Sequence, residues 1–307
     1  MGSYVPSTLK EQKEMLESIK LSSIDELFAH IPAELKLKGE LNIPSGKSEM
    51  EVSRTMKDIA SHSHIFGTIF RGAGAYSHYI PSIVKSVVSK EEFVTAYTPY
   101  QAEISQGILQ SIFEYQTMIC ELTGMDVSNA SVYDGATATA EAVNMCCERS
   151  RQVVFCSGAA HPDTISVIKT YCWAAGHELV LVPYKNGKTD WDSIASQLDK
   201  KTSACIYVQS PNFFGQLEEV EKAAELIHSV GGKLICGCNP IALGALKTPA
   251  EQGADIAVGE GQPLGMPLSF GGPYLGFMAA TSAMMRKLPG RIVGETTDVD
   301  GKRAFVL

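Results

Sequence analysis

The chain has 307 residues, 45% hydrophobic and 20% charged, which is the composition of a globular protein able to bury a sizeable core. Its 34 acidic residues exceed the 26 basic ones by 8, and no run of five or six lysines and arginines occurs, so we expect no nucleic-acid partner. The sequence has neither an apolar stretch of 18 residues nor a basic-then-apolar start, which predicts a cytoplasmic protein that does not span a membrane.

The first part of the chain has helical patterns. Ser7 and Thr8 can cap a helix over KEQKEMLESI, Ser22 and Ser23 can cap one over IDELFAHI, and a further helix is expected to follow LKLKGELNIPSGKS. We therefore predict a helical N-terminal arm and interface segment over residues 1–120.

The segment TAYTPYQAEISQG, residues 95–107, is dense in side chains that both stack and form hydrogen bonds. Pro99 interrupts it before a long helix that we expect to begin at Gln101. Loops of this kind often carry function, so the side chains either contact a small substrate or a partner, or simply pack at the entry of the helix. The candidate site residues are Tyr97, Thr98, Tyr100, Gln101 and Glu103.

The run SNASVYDGATATAEA, residues 128–142, combines small residues and hydroxyls and leads into an alanine-rich helix. A helix start rich in free amides can bind an anion such as a cofactor phosphate. Small residues also allow close helix packing, and the sequence leaves both alternatives open.

From about residue 150, short apolar runs alternate with stretches predicted to be helical, such as DWDSIASQLD. This pattern predicts an α/β fold with a mostly parallel sheet, helices on both faces and a large domain over residues 121–307. Ligands bind at the carboxyl ends of such strands, so Ser210-Pro211-Asn212 and Asn239-Pro240 are candidate site loops, unless they serve as turns alone. The predicted strands are 153–158, 178–183, 204–209 and 233–238.

Cysteine and histidine placement predicts neither disulfides nor a metal site. Eight cysteines in a chain of this length without a secretion signal are expected to be reduced, buried thiols. Cys236-Gly237-Cys238 lacks a second cysteine pair, and His62 and His64 lack further ligands nearby, so we expect no metal.

Four longer strings resemble one known family. They are GAGAYSHYIP (72–81), FVTAYTPYQAEISQGILQSIFEYQTMICELTGMDVSNASVYDGATATAEA (93–142), GADIAVGEGQPLGMPLSFGGPYLGF (253–277) and RKLPGRIVGETTDVDGKR (286–303). Together they resemble the glycine cleavage system P-protein, in the bacterial form divided into two chains, and this chain is similar to subunit 1. The resemblance implies the aminotransferase-like fold (fold type I) of pyridoxal phosphate (PLP) enzymes, with a smaller C-terminal domain beyond Leu307.

The resemblance also implies where PLP would be held, and this chain departs from the pattern there. Fold type I enzymes present a Schiff-base lysine shortly after the strand that is ADIAVGEG here. Between Asp255 and Tyr274 the sequence has Gln262-Pro263 and no lysine, and Asn239 stands where an aspartate usually pairs with the pyridinium nitrogen. We therefore expect no covalently bound PLP on this chain, PLP on subunit 2, and Lys247 as a surface charge.

The function implied by the resemblance is that of an oxidoreductase subunit, inactive alone. With subunit 2, two copies of each forming a heterotetramer, it would release CO2 from glycine and pass the aminomethyl group to the lipoyl arm of the H-protein. Two alternatives are an autonomous PLP enzyme with an unusual lysine and a structural or degenerate fragment. If Val306-Leu307 begins a strand that does not continue, its partner surface is expected to be exposed, which favours instability or aggregation.

Overall fold

A computed structural model describes residues 7–39, 41–68, 70, 76–269, 271 and 274–307. Residues 72–75 of the GAGAYSHYIP string therefore lie outside the described residues. The chain divides into two compact units, Met1–Ile69 and Phe70–Leu307. The sequence analysis divided the chain by role, into an arm and interface segment over residues 1–120 and a large domain over residues 121–307. That division stays a prediction.

The first unit contains two capped α-helices, α1 (Leu9–Ser18) and α2 (Glu49–Ser61). The Thr8 hydroxyl accepts a hydrogen bond from the backbone N–H of Glu11, whose carboxylate in turn accepts the N–H of Thr8. Ser48 starts α2 with the same capping box, so both helices are fixed by local sequence. The helix predicted over IDELFAHI is wrong in type, since Ile24–Phe28 forms only a 3₁₀ turn with no side-chain cap.

The second unit contains the remaining helices and all the strands among the described residues. The helices are α3 (Ser82–Val88), α4 (Glu91–Val94), α5 (Gln106–Thr123), α6 (Gly135–Cys146), α7 (Pro162–Ala175) and α8 (Val220–Ser229). The strands are β1 (Val127–Ser128), β2 (Val153–Ser157), β3 (Glu178–Val182), β4 (Tyr184–Lys185), β5 (Lys188–Thr189), β6 (Ser203–Ser210), β7 (Lys233–Cys238), β8 (Ile256–Glu260), β9 (Gly276–Ala280), β10 (Gly294–Thr297) and β11 (Arg303–Val306).

Seven strands form one sheet in the order β1-β9-β8-β7-β6-β2-β3. The strands from β3 to β8 in this order pair in parallel, whereas β9 is antiparallel to both β8 and β1. The predicted mostly parallel sheet and its four predicted strands are therefore confirmed. Because β6, β7 and β8 are parallel, their carboxyl ends meet along one edge, where a ligand site is expected in this class of fold.

Helices cover both faces of the sheet, as predicted. Helices α5 and α8 contribute Ile119 and Ile227 to the core on one face, and α6 and α7 contribute Val143 and Ile168 to the core on the other. All eight cysteines are free, and six are buried. Burial raises the pKa of Cys156 to about 12, so this thiol stays protonated and unreactive. No helix in the described part of the chain is long and apolar enough to cross a membrane.

Two helices predicted from the sequence differ in the structure. The long helix α5 begins at Gln106 rather than Gln101, because Ala102–Ile104 forms a separate 3₁₀ turn before it. DWDSIASQLD contains only the 3₁₀ turn Trp191–Ile194, in which both end residues are buried. Tertiary packing therefore overrides the helical pattern in these two segments.

The C-terminal strand has a partner, contrary to the expectation from the sequence. Strand β11 pairs with β10 in an antiparallel hairpin. The side chain of Gln106, in the first turn of α5, forms hydrogen bonds of 2.9 and 2.8 Å with the backbone C=O and N–H of Phe305. The hairpin is thus attached to the same helix that follows the 95–107 loop.

Helix α6 starts in direct backbone contact with β8 and β9. A Cβ atom on Gly135 would lie 2.8 Å from the backbone nitrogen of Glu260, and one on Gly276 would overlap the carbonyl oxygen of Asp134. Real Cβ atoms do not approach backbone this closely, so glycine is required at both positions. These contacts fix the start of α6 at the edge where the three parallel strands end.

We predict that Gly276→Ala lowers the free energy of unfolding by about 2 kcal/mol or more, because the methyl group would push the start of α6 off the sheet. Gly294→Ala is the matched control, since Gly294 also lies in a strand and a Cβ there would contact nothing within 4 Å. The free energy of unfolding of the control is expected to equal that of the parent or to exceed it by up to about 1 kcal/mol. Urea denaturation of the two variants measures the difference, and equal losses would show that the contact with Asp134 imposes no constraint.

Candidate functional site

A cavity of about 680 Å³ opens at the carboxyl ends of β6, β7 and β8, beside the first turns of α6 and α7. Both loops predicted from the sequence contribute to its wall, through Pro211, Asn212 and Asn239. The segment proposed to replace the lysine also contributes, through Gln262 and Pro263. This edge of the sheet is therefore the candidate site.

Tyr207 on β6 and Gly237 on β7 line the inner part of the cavity. A Cβ atom on Gly237 would collide with the Tyr207 ring, so the glycine makes space for the tyrosine. Burial raises the pKa of the Tyr207 phenol well above its ordinary value. The inner wall is therefore uncharged.

A buried carboxylate that the sequence analysis missed holds one rim of the cavity. Glu218 accepts hydrogen bonds from the backbone N–H and the hydroxyl of Thr189, and from the side-chain amide of Asn212 at 2.7 Å. The same amide donates to the carbonyl of Gly187 at 2.7 Å. Phe213, next in the loop, packs edge-on against the His161 ring with 5.2 Å between ring centroids. The 210–218 loop is therefore held in one position.

Two carboxylates accept hydrogen bonds from backbone N–H groups at the start of α6. Asp134 is the N-cap and accepts the N–H of Thr137 at 2.7 Å. Glu260 accepts three backbone N–H groups, from Gly135, Gln262 and Leu275, each at 3.0 Å. No lysine or arginine stands among the described residues that line the cavity.

The segment in which a PLP enzyme would carry its Schiff-base lysine forms a 3₁₀ turn here, over Gln262–Leu264. Gln262 is 2% exposed and donates from its side-chain amide to the carbonyl of Met266 at 2.6 Å. Asn239 uses its side-chain oxygen to accept the N–H of Ile241 at 2.9 Å, a local turn contact. Lys247 is exposed and pairs with a surface glutamate, which confirms it as a surface charge.

These residues do not fit PLP. The cofactor needs an amine for its Schiff base and donors or cations for its phosphate, and this cavity presents no lysine or arginine in its described wall. Asp134 and Glu260 already accept the N–H groups of Thr137 and Gly135 in the first turn of α6. The contacts of Gly135 favour the packing alternative for the 128–142 run over the anion-binding one.

The predicted residues of the 95–107 loop lie elsewhere on the surface. Tyr97 is 88% exposed and Tyr100 is 62% exposed, with the Arg291 guanidinium 5.2 Å from the centroid of the Tyr100 ring. Thr98, Gln101 and Glu103 are also exposed, and none of the five lines the cavity. Their role in a site shared with a partner therefore stays a prediction.

Comparison with known proteins gives one consistent family. The profile of the glycine cleavage system P-protein matches residues 2–307. Relatives called "probable glycine dehydrogenase (decarboxylating) subunit 1" are 54% identical in Carboxydothermus hydrogenoformans and 52% identical in Desulforamulus reducens, each match covering 99% of this chain and 69% of the relative.

A solved structure gives the same result. The crystal structure of glycine decarboxylase (P-protein) of the glycine cleavage system, in inhibitor-bound form, superimposes with a TM-score of 0.92 at 42% identity, over 99% of this chain and 69% of that one. This similarity confirms the aminotransferase-like fold implied by the sequence resemblance. The chain belongs to the glycine cleavage system P-protein family.

Proposed function

We propose that this chain is the subunit of a glycine dehydrogenase (decarboxylating) that does not carry PLP, working with a lysine-bearing subunit 2. The observation that carries the proposal is the cavity wall, in which Gln262-Pro263 and the carboxylate of Glu260 stand where a PLP enzyme needs an amine and donors to phosphate. Bound to subunit 2, PLP supplies the electron sink for loss of the glycine carboxylate. The released aminomethyl group passes to the lipoyl arm of the H-protein.

Subunit 2 is also proposed to cover the N-terminal part of this chain. None of the described residues before Leu109 is buried. Large apolar side chains there are exposed, among them Leu9 at 84%, Ile65 at 91% and Phe70 at 98%. Exposed apolar surface on this scale is typical of an interaction surface, and the relatives' name "subunit 1" indicates another subunit as the occupant.

The 95–107 loop is proposed to reach the active site of subunit 2. Tyr97 and Tyr100 present their hydroxyls to solvent, while Ala102 at the end of the loop packs against a buried cluster that contains Leu109 and Phe305. A loop anchored at its base with exposed phenols at its tip can place hydrogen-bond donors in a neighbouring site.

We predict that the chain alone does not catalyse exchange between glycine and bicarbonate, and that exchange appears when the lysine-bearing subunit 2 is added. The reason is that no amine lines the described cavity. Exchange of labelled bicarbonate into glycine measures this, with the two-subunit pair from Carboxydothermus hydrogenoformans as positive control. Exchange by the isolated chain, after purification from a host without its own P-protein, would contradict the division of labour.

We predict that Tyr97→Phe and Tyr100→Phe each lower the turnover of the assembled enzyme by about tenfold or more, with unfolding temperatures close to the parent's. Phenylalanine keeps the aromatic ring, which at position 100 also preserves the contact with Arg291, so each variant removes only the hydroxyl. Tyr184→Phe is the control, because Tyr184 is half-exposed, belongs to strand β4 rather than to the 95–107 loop, and packs on Phe214.

Glycine decarboxylation and thermal unfolding are measured side by side for all three variants. A packing role would produce the reverse pattern, with a changed unfolding temperature and nearly normal turnover. Parental turnover in both loop variants would reassign the loop to subunit packing.

A further inference from the structure

We propose that Glu260 is the specificity-determining residue that keeps phosphate-bearing ligands, PLP included, out of the cavity of this chain. Its carboxylate takes the place of a bound anion at the start of α6. One oxygen accepts the N–H of Gly135, the first residue of the helix, and the other accepts the N–H groups of Gln262 and Leu275, all at 3.0 Å. The proposal deepens the proposed function by naming what in this chain excludes the cofactor.

The first turn of an α-helix attracts anions because its backbone N–H groups have no partners within the helix and the helix dipole adds positive potential there. Helix α6 has 12 residues, and its start faces the cavity through Asp134, Gly135 and Ala136. In this chain the anion is supplied from within, by the last residue of β8. A phosphate could bind there only by displacing a carboxylate that holds three hydrogen bonds.

The Glu260 carboxylate is held against the start of α6 by the packing of the backbone. A Cβ atom on Gly135 would lie 2.8 Å from the nitrogen of Glu260 and 3.1 Å from its Cβ atom, so the helix start and the end of β8 are in contact. The Glu260 side chain spans from β8 to the N–H of Leu275, just before β9. Displacing it would leave three half-buried N–H groups without their acceptor, which opposes exchange for an outside anion.

The charges around the cavity act in the same direction. Its described wall contains the carboxylates of Asp134, Asp163 and Glu260 and neither lysine nor arginine. The wall also contains the imidazoles of His78 and His161. A phosphate entering it would meet three carboxylates, with no lysine or arginine in the described wall to offset its charge. The negative field of Glu260 also reaches Tyr115, whose pKa is raised to about 12 by burial and then by this charge.

The test is phosphate binding by the isolated chain, which needs no turnover. We compare the parent, Glu260→Ser, Glu260→Gln and the control Glu141→Gln. Glu141 lies on the same helix, but its carboxylate accepts a hydrogen bond from the Tyr171 hydroxyl instead of a helix-start N–H. Unfolding temperature is measured in sodium phosphate and in sodium chloride of equal ionic strength, and PLP binding by equilibrium dialysis.

We expect Glu260→Ser to unfold at a lower temperature than the parent in chloride and to regain about 3 °C or more in phosphate, because the outside anion refills the helix start. PLP should bind this variant at least about tenfold more tightly than the parent. Phosphate stabilises folded proteins in general, so the parent and Glu141→Gln should show the same small gain in phosphate over chloride, and the gain of Glu260→Ser should exceed theirs by about 3 °C or more. Glu260→Gln, which keeps the side-chain volume and one acceptor oxygen, should respond in the same direction and serves if the serine variant does not fold.

A parent that gains as much from phosphate as the Glu260 variants would overturn the proposal, as would folded Glu260 variants that gain nothing. Neither result bears on glycine exchange by the assembled enzyme, so failure here and failure of the proposed function are distinguishable.

Discussion

The contact on which the edge of the sheet depends is the carboxylate of Glu260 with three backbone N–H groups. It lies where the last parallel strand of the sheet, β8, meets the antiparallel β9. Three amides in that region would otherwise lack partners, at a cost of about 1–3 kcal/mol each. One side chain thereby joins the strand end, the turn and the start of α6.

The sequence predicted four neighbouring parallel strands well and the side of the sheet formed by β9 and β1 poorly. Strands β2, β3, β6 and β7 are short apolar runs between helical stretches, so period and length were enough to identify them. Strand β1 has only two residues, and β9 is a run of small and flexible side chains without β-branched residues, GFMAA. Their pairing depends on partners far along the chain, with Val127 opposite Ala280. Local pattern carries no information about such contacts.

The sequence revealed the missing lysine of the site but not the roles of its carboxylates. The missing lysine is a property of composition between Asp255 and Tyr274, and the sequence shows it directly. The roles of Glu260 and Glu218 were not predicted, because they arise from contacts across 125 residues in the first case and 29 residues in the second. The acidic residue in GEGQPLG could have been noticed as a strand-end carboxylate, but nothing local indicates which amides it meets. Helix α5 begins at Gln106 rather than at the predicted Gln101. Here too a contact distant in sequence is involved, because the Gln106 side chain forms hydrogen bonds with the backbone of Phe305.

The polar groups around the cavity and the apolar side chains on the outer surface differ in whether they have partners within this chain. In and beside the cavity, polar groups have partners in the same chain: Glu218 with Asn212, Glu260 with the start of α6, and Asn239 within its own turn. Outside, apolar side chains such as Phe70 and Ile65 stay in solvent, where each exposed large side chain forgoes about 1.5–3 kcal/mol of burial. In the proposed function these two features are used differently. The cavity wall, whose polar groups already have partners, holds no cofactor, the exposed apolar side chains are covered by subunit 2, and the decarboxylation of glycine takes place on that subunit.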